Sequence, residues 1–205
     1  MAEGPRRVLY TIGHSNHTVE QFVALLKSHK VSVVADVRSA PYSRYCPHFD
    51  REELAAVLGQ EGIGYVFLGK ELGARPDDAA CYEGGRVSFR RVAARQAFRD
   101  GLERLRAGMA RHCIALMCAE KEPLECHRTI LVCRHLDGAD VGIEHILEDG
   151  TTEDHRAAGR RLAKMLKVER TLFEPNLTEQ ELVERAYDQQ AERIACRVAD
   201  REDEQ

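Results

Sequence analysis

The stretch that decides the fold is Cys118-Ala-Glu-Lys-Glu-Pro-Leu-Glu-Cys-His-Arg128, read with the two apolar runs that flank it. Before it, Cys113-Ile-Ala-Leu-Met117 is short, apolar and bounded, the pattern of a buried strand. After it, Ile130, Val132, Cys133 and Leu136 fall at helical spacing, which predicts a helix over 126–136 closed by Gly138 as a C-cap. Pro123 sets the turn between the two. The loop therefore carries two cysteines, a histidine, an arginine, a lysine and three glutamates from a strand into a helix. Ligands in open α/β sheets bind outside the carboxyl ends of the strands, so this loop is a site candidate.

Outward from this centre the same alternation recurs. Residues 8–12 are β-branched and aromatic and end at Gly13. Thr18 then opens a helix, with Gln21 completing a capping box and Val19, Phe22, Val23, Leu25 and Leu26 as its core stripe. Residues 31–38 are nearly apolar throughout, as a buried parallel strand is. Pro41 and Pro47 mark a loop, Asp50 caps a helix through Leu58, and residues 65–68 give a third strand closed by Gly69 and Gly73. Residues 74–85 have no period and read as a long exposed loop. A basic helix follows to about Gly108, and residues 143–147 form a fifth strand before Asp149-Gly150. Strand and helix in alternation predict an α/β fold for 1–150: a mostly parallel sheet of about five strands with helices on both faces. Residues 151–205 read as a charged helical extension. One helix is expected over 151–167 and a second from Thr178, capped with Glu181, with 201–205 frayed.

Length and composition narrow the class. The 205 residues suffice for one sizeable core, and 43% hydrophobic with 31% charged content is ordinary for a globular protein. No apolar run approaches the roughly 20 residues of a membrane span, so no membrane partner is expected. The first residues lack a stretch of signal-peptide length. Seven cysteines, an odd number in no small-scaffold pattern, point to reduced thiols and a cytoplasmic location. The net charge of −4 names no partner. Cofactor and oligomeric state are not written in the sequence.

The strand ends carry the candidate chemistry. Gly13-His14-Ser15-Asn16-His17 precedes a helix N-terminus, where backbone N–H groups can cradle an anion; alternatively Ser15 and Asn16 only satisfy the turn. Asp36 and Arg38 share a face of their strand and form either an internal ion pair or a ligand contact. His127 and Arg128 put cations at the start of a helix, against the macrodipole, so Arg128 is expected to meet Asp36, Glu120 or a bound anion. Cys126, beside two cationic groups at a helix N-terminus, is either a thiolate nucleophile or a packing residue. Cys133, on the same helical face, is core.

Known templates fail on spacing. There is no phosphate-binding G-x-x-x-x-G-K-[ST] loop and no dinucleotide G-x-G-x-x-G. An arginine-bearing phosphatase loop would need arginine where Leu124 stands. Cys118, Cys126 and His127 with His14 can supply four metal ligands, which keeps a metal-binding protein as an alternative function, but C-x7-C-H is weak spacing and no metal site is assigned. Taken together, TIGHSN at 11–16, VADVRSAPYSR at 34–44, GKELG at 69–73, ALMCAEKEPLECHR at 115–128 and the ending at 143–150 resemble the domain-of-unknown-function 488 family. The resemblance covers roughly 8–150 and implies an α/β fold. It brings no reaction, cofactor or catalytic residue.

Two function classes follow. The favoured one is an enzyme acting on a small anionic or nucleotide-like substrate. Cys118 or Cys126 is its nucleophile, Glu120 or His127 its acid or base, and Arg38, Lys121 and Arg128 the anion clamp, with His14, Ser15, Asn16 and Asp36 completing the binding set. The other is a nucleic-acid-binding module built on the Arg-rich segment 86–106, with Arg91, Arg95 and Arg99 on one stripe opposite Ala94, Phe98, Leu102, Leu105 and Met109.

Overall fold

The computed structural model describes residues 7–138 and 140–197, so the expected fraying of 201–205 lies outside the described residues. In chain order the first half comprises β1 (Arg7–Gly13), α1 (Val19–Ser28), β2 (Val33–Asp36), α2 (Arg51–Gln60), β3 (Gly64–Phe67), α3 (Gly69–Leu72), β4 (Tyr82–Glu83), β5 (Arg86–Val87), α4 (Phe89–Ala93) and α5 (Gln96–Met109). The second half comprises β6 (Ile114–Cys118), a π-helical segment Arg128–Cys133 continued by α6 (Arg134–Leu136), β7 (Val141–Ile146), β8 (Thr152–Asp154), α7 (His155–Met165) and α8 (Glu179–Ile194).

Among the described residues, six strands form one sheet in the order β3-β2-β6-β1-β7-β8. The first five are parallel, and β8 pairs antiparallel with β7 at the edge. β6 sits in the middle and is buried along its whole length. Its side chains alternate, as period two requires: Ile114, Leu116 and Cys118 join the core on one face, and Ala115 and Met117 join the other. Helices α1 and α2 cover the second face through Phe22, Leu26, Leu54 and Leu58. Helices α5, α7, α8 and the π-helical segment cover the first through Phe98, Leu105, Leu131, Leu162 and Tyr187.

This order fixes where a crevice opens. The chain leaves β1 toward β2 and β3, but leaves β6 in the opposite direction toward β7. Right-handed crossovers that run in opposite directions put their helices on opposite faces. The adjacent ends of β1 and β6 are therefore a topological switch point, the position at which α/β sheets bind ligands. Here the pairing continues past the strands: His14 N–H donates to the Cys118 carbonyl (2.9 Å) and Ser15 N–H to the Ala119 carbonyl (2.9 Å). Gly13 is required for this, because a Cβ there would lie 1.9 Å from the Glu120 carbonyl oxygen.

Several expectations are corrected. Residues 74–85 are an exposed loop only in part: 77–80 and 83–85 are exposed, but Ala74 and Cys81 are core, and Gly84-Gly85, both at positive φ, turn the β4–β5 hairpin. The basic helix is two helices, broken at Ala94–Arg95. Residues 152–154 are the edge strand β8, so the helix expected from Thr151 begins only at His155, capped by Asp154. The helix expected over 126–136 is π-helical from Arg128, with Cys126 in extended conformation before it. It stops at Asp137, which leaves it extended, and not through a left-handed glycine. Asp50 precedes α2 but caps no helix N–H; its carboxylate accepts from Ser43 N–H (2.8 Å). Both capping boxes, Thr18–Gln21 and Thr178–Glu181, are formed. No helix among the described residues is long and apolar enough to cross a membrane.

Candidate functional site

At the switch point a cavity of about 310 Å3 opens. Its floor is His14, Arg38, Cys118, Glu120 and His127, and its mouth includes Tyr42, Arg44, Tyr45, Arg75 and Cys196. Each floor residue is placed by the end of a strand or by the turn that follows one.

Asp36, at the end of β2, is fully buried. It accepts from Arg38 Nε (3.0 Å), Arg38 Nη2 (2.7 Å) and Tyr65 hydroxyl (2.7 Å), so the internal ion pair prevails over a ligand contact. Burial and Asp36 together push the Tyr65 phenol upward. Arg38 also donates to the Phe49 carbonyl (2.8 Å) and lies 3.3 Å from His14 Nε2. His14 stacks on Phe49, and burial followed by the Arg38 charge lowers its pKa to about 4. It is a neutral group, with Nδ1 donating to the Ser15 carbonyl (3.0 Å) when Nε2 accepts from Arg38.

The centre is a cluster from the two ends of the decisive loop. Cys118 Sγ lies 3.5 Å from His127 Nδ1, and His127 Nε2 lies 3.0 Å from the Val37 carbonyl. A carbonyl only accepts, so Nε2 carries a proton and Nδ1 faces the thiol. Cys126 Sγ donates to Glu120 Oε2 (3.0 Å). Desolvation of the inward-turned carboxyl opposes ionisation of Glu120, although the residue as a whole is exposed; His127 and the two thiols outweigh it and hold the carboxyl at about 2. Burial lowers the His127 pKa, while Cys126 and Glu120 raise it, and the net direction is upward. Cys118, Glu120, Cys126 and His127 have ligand-type atoms all within 4.8 Å of one another. This is the group able to hold a metal, and its fourth member is Glu120 instead of the expected His14.

Other expected site roles are not realised. Cys126 is buried, and burial and the neighbouring Cys118 push its thiol well up, against the expected depressed pKa. Arg128 is completely buried and is not a ligand clamp. Its guanidinium donates to the carbonyls of Glu120 (2.6 Å) and Lys121 (3.1 Å) and to Thr11 Oγ1 (3.4 Å), not to a carboxylate. Lys121 points to Glu148 on the surface. The N–H groups of His14 and Ser15 serve the β6 loop, and Ser15 and Asn16 bond each other, so no anion cradle forms at 13–17. Cys133 is core, its thiol pushed up by burial.

The basic segment does not present the expected stripe. Arg91 donates to the Tyr82 carbonyl (3.0 Å) and pairs with Glu83, Arg99 binds the Ala94 carbonyl (2.7 Å) and Gln96, and Arg95 buries one terminal nitrogen. Missed by the sequence reading are Tyr42, Arg44, Tyr45 and Arg75 at the cavity mouth. The signal for the first three was present in S-A-P-Y-S-R-Y at 39–45, a proline-marked loop carrying aromatic and basic residues shortly after a strand end; Arg75, just past Gly73, had none.

Residues 18–134, more than half of the chain, match the model of the domain of unknown function DUF488. The chain belongs to this family. The matched region contains the whole four-residue cluster, Tyr42, Arg44, Tyr45 and Arg75 of the mouth, and β2, β3 and β6, whereas His14, Cys196, β1 and β7 lie outside it. The resemblance drawn from motifs over 8–150 is thus broader than the matched span. No curated protein and no solved structure matches the chain.

Proposed function

We propose that this protein is an enzyme acting on a small anionic, nucleotide-like substrate, with Cys118, Glu120 and His127 as its reacting end. The observation that carries this is the cavity itself, which joins those three residues at its floor to a basic and aromatic mouth. Tyr42 and Tyr45 are 57% and 94% exposed, surfaces on which a planar base can stack. Arg44 makes no ion pair among the described residues and supplies a guanidinium for a phosphate or carboxylate. The volume lies at the lower end of small-molecule sites, about 300–1,000 Å3.

At the floor, the ionised Glu120 and the oriented His127 are the acid–base candidates, and the chemistry they suit is hydrolysis or group transfer. Of the two cysteines, Cys118 is the one that reaches the cavity. The test is calorimetric titration with a nucleoside, its monophosphate and inorganic phosphate. The monophosphate is expected to bind best, with Arg44→Ala weakening it about tenfold, the size of one charge-assisted contact. Equal affinity for the nucleoside, or no effect of Arg44→Ala, contradicts the anion assignment.

A further inference from the structure

Arg128 poses an electrostatic question that the substrate reading leaves open. Its side chain is the largest among the fully buried ones, and it forms no ion pair among the described residues. A buried guanidinium held only by two carbonyls and a hydroxyl requires negative charge nearby. The charge it faces is that of the cluster: Cys126 accepts the Arg128 backbone N–H at 3.4 Å, and both thiols and Glu120 act on the guanidinium.

We infer that Cys118, Cys126 and His127 form a tetrahedral site for a divalent cation, zinc by ligand chemistry, with Glu120 at the fourth, cavity-facing position. Two thiols and an imidazole are the donor set that zinc prefers over magnesium or calcium. Metal–sulfur and metal–nitrogen bonds of about 2.3 and 2.0–2.1 Å at tetrahedral angles set sulfur and nitrogen about 3.5 Å apart. Cys118 Sγ and His127 Nδ1 stand at 3.5 Å. All four ligand-type atoms lie within 4.8 Å of one another, so they converge on one point between them.

The surroundings are those of a ligand set. His127 is fixed by the Val37 carbonyl on Nε2, which leaves the Nδ1 lone pair aimed into the cluster, the orientation that metal-bound histidines receive from an outer partner. Charge also closes. Two thiolates and a carboxylate carry −3, the cation +2 and Arg128 +1, so the assembly is neutral in a buried setting. Cys118, Cys126 and His127 are 2%, 1% and 8% exposed, whereas Glu120 is exposed, so three ligands are sealed and one position opens to the cavity. Four protein ligands make this the closed set of a structural site, whose one exposed member, Glu120, faces the cavity. The π-helical start at Arg128 places Cys126 and His127 beside the Cys-x-Glu end of β6. With the cation bound, Cys118, Cys126, His127 and Glu120 are all ligands, and the nucleophilic and acid–base roles given above to Cys118, Glu120 and His127 belong to the metal-free chain.

The inference does not depend on what the substrate is, and it is read without one. The full chain, purified reduced, is analysed for metal by mass spectrometry, stripped with a chelator and titrated with cobalt(II). The expected result is one ion per chain, with thiolate charge-transfer bands and the intense visible bands of tetrahedral cobalt. Cys118→Ser and Cys126→Ser are expected to weaken binding on the order of 100-fold, and Glu120→Gln by about tenfold, since it is the exposed ligand and its amide oxygen can still coordinate. Cys113→Ser, remote from the cluster, keeps wild-type binding and its bands. Circular dichroism of each apo-variant separates lost ligation from lost folding, and the folded Glu120→Gln still reports if a cysteine variant fails to fold. Absence of the bands in the wild type overturns the inference, as does a Cys118–Cys126 disulfide in the purified chain. Binding that is equal in the wild type and folded Cys118→Ser overturns it too. Anion binding at Arg44 is measured separately, so failure of the metal site and failure of the substrate reading are told apart.

Discussion

Cys118 Sγ and His127 Nδ1 face each other at 3.5 Å from the two ends of one loop, with the far nitrogen of the ring pinned by the Val37 carbonyl at 3.0 Å. Nine residues of separation in the chain become a contact because β6 ends at Cys118 and the next helix returns over it. Val37 belongs to the segment after β2, so the site depends on the sheet order and not on the loop alone.

Thiol reactivity follows burial and not the helix N-terminus. Cys46, Cys113 and Cys196 are partly exposed, while Cys81, Cys118, Cys126 and Cys133 are buried. Mild alkylation at neutral pH with peptide mapping is expected to label the first three first, and Cys126 at least about tenfold more slowly, because both its access and its thiolate fraction are low. Preferential labelling of Cys126 contradicts this placement.

Arg128→Ala is expected to destabilise the fold by about 3–5 kcal/mol in denaturant unfolding. It strips the carbonyls of Glu120 and Lys121 of their donor and leaves a void in the core. Arg128→Lys should recover little, because an ammonium on a flexible stem does not reproduce the planar fork that spans both carbonyls. Full rescue by lysine would show that charge alone is needed there.

Gly13→Ala tests the seam between β1 and β6. Its methyl group would meet the Glu120 carbonyl oxygen, a backbone atom that cannot swing aside. A loss of about 1–3 kcal/mol is expected, together with displacement of the Glu120 carboxylate and weaker ligand binding. Unchanged stability and binding would mean that the loop has slack that the close approach does not suggest.

Acid sensitivity has a structural source in the buried chain Thr11–His145–His155–Tyr187, linked at 2.8, 3.1 and 3.3 Å. Burial lowers the His155 pKa to about 4, with Asp137, Asp154 and Arg156 as smaller influences. An unfolded histidine titrates near 6.5, so between these values the unfolded chain binds the extra proton. Stability is then fully present above about pH 6.5 and falls as the pH drops toward about 4, by on the order of 3 kcal/mol for this residue. Urea midpoints across pH 7.5 to 4.5 measure the slope, and His155→Gln should flatten it. An equal slope in that variant would assign the acid sensitivity elsewhere.

Much of this architecture was legible because burial writes itself in period. The apolar run at 113–117 had room only for a strand buried on both faces, and Thr18–Gln21 and Thr178–Glu181 named their helix starts by cap chemistry. The edge strand β8 was not legible, since Thr152-Glu-Asp154 is short and polar and is held by pairing with β7. The Gly84-Gly85 hairpin was a readable turn flanked by strands of only two residues each, too short to show alternation. In the site, the motif pointed to the right loop but not to which side of it faces outward. Cys126 and Arg128 turned inward because the segment between them and Cys118 folds down on the end of β1, a tertiary fact carried by Gly13. Glu120, two residues from Cys118, was read as an acid or base or as a partner of Arg128, not as a member of the cysteine cluster. Its place in the cluster depends on the loop doubling back to Cys126.

The most direct test of the reacting end is turnover. A pool of nucleotides and sugar phosphates is incubated with the wild-type protein and with His127→Asn, and products are followed by mass spectrometry and phosphorus NMR. Consumption of an anionic substrate by the wild type is expected. His127→Asn should fall by about 100-fold or more in kcat with little change in KM, whether the lost imidazole moves the proton itself or holds the cation beside the reacting group. No consumption of any phosphorylated compound by the wild type, or wild-type turnover by His127→Asn, would contradict the account.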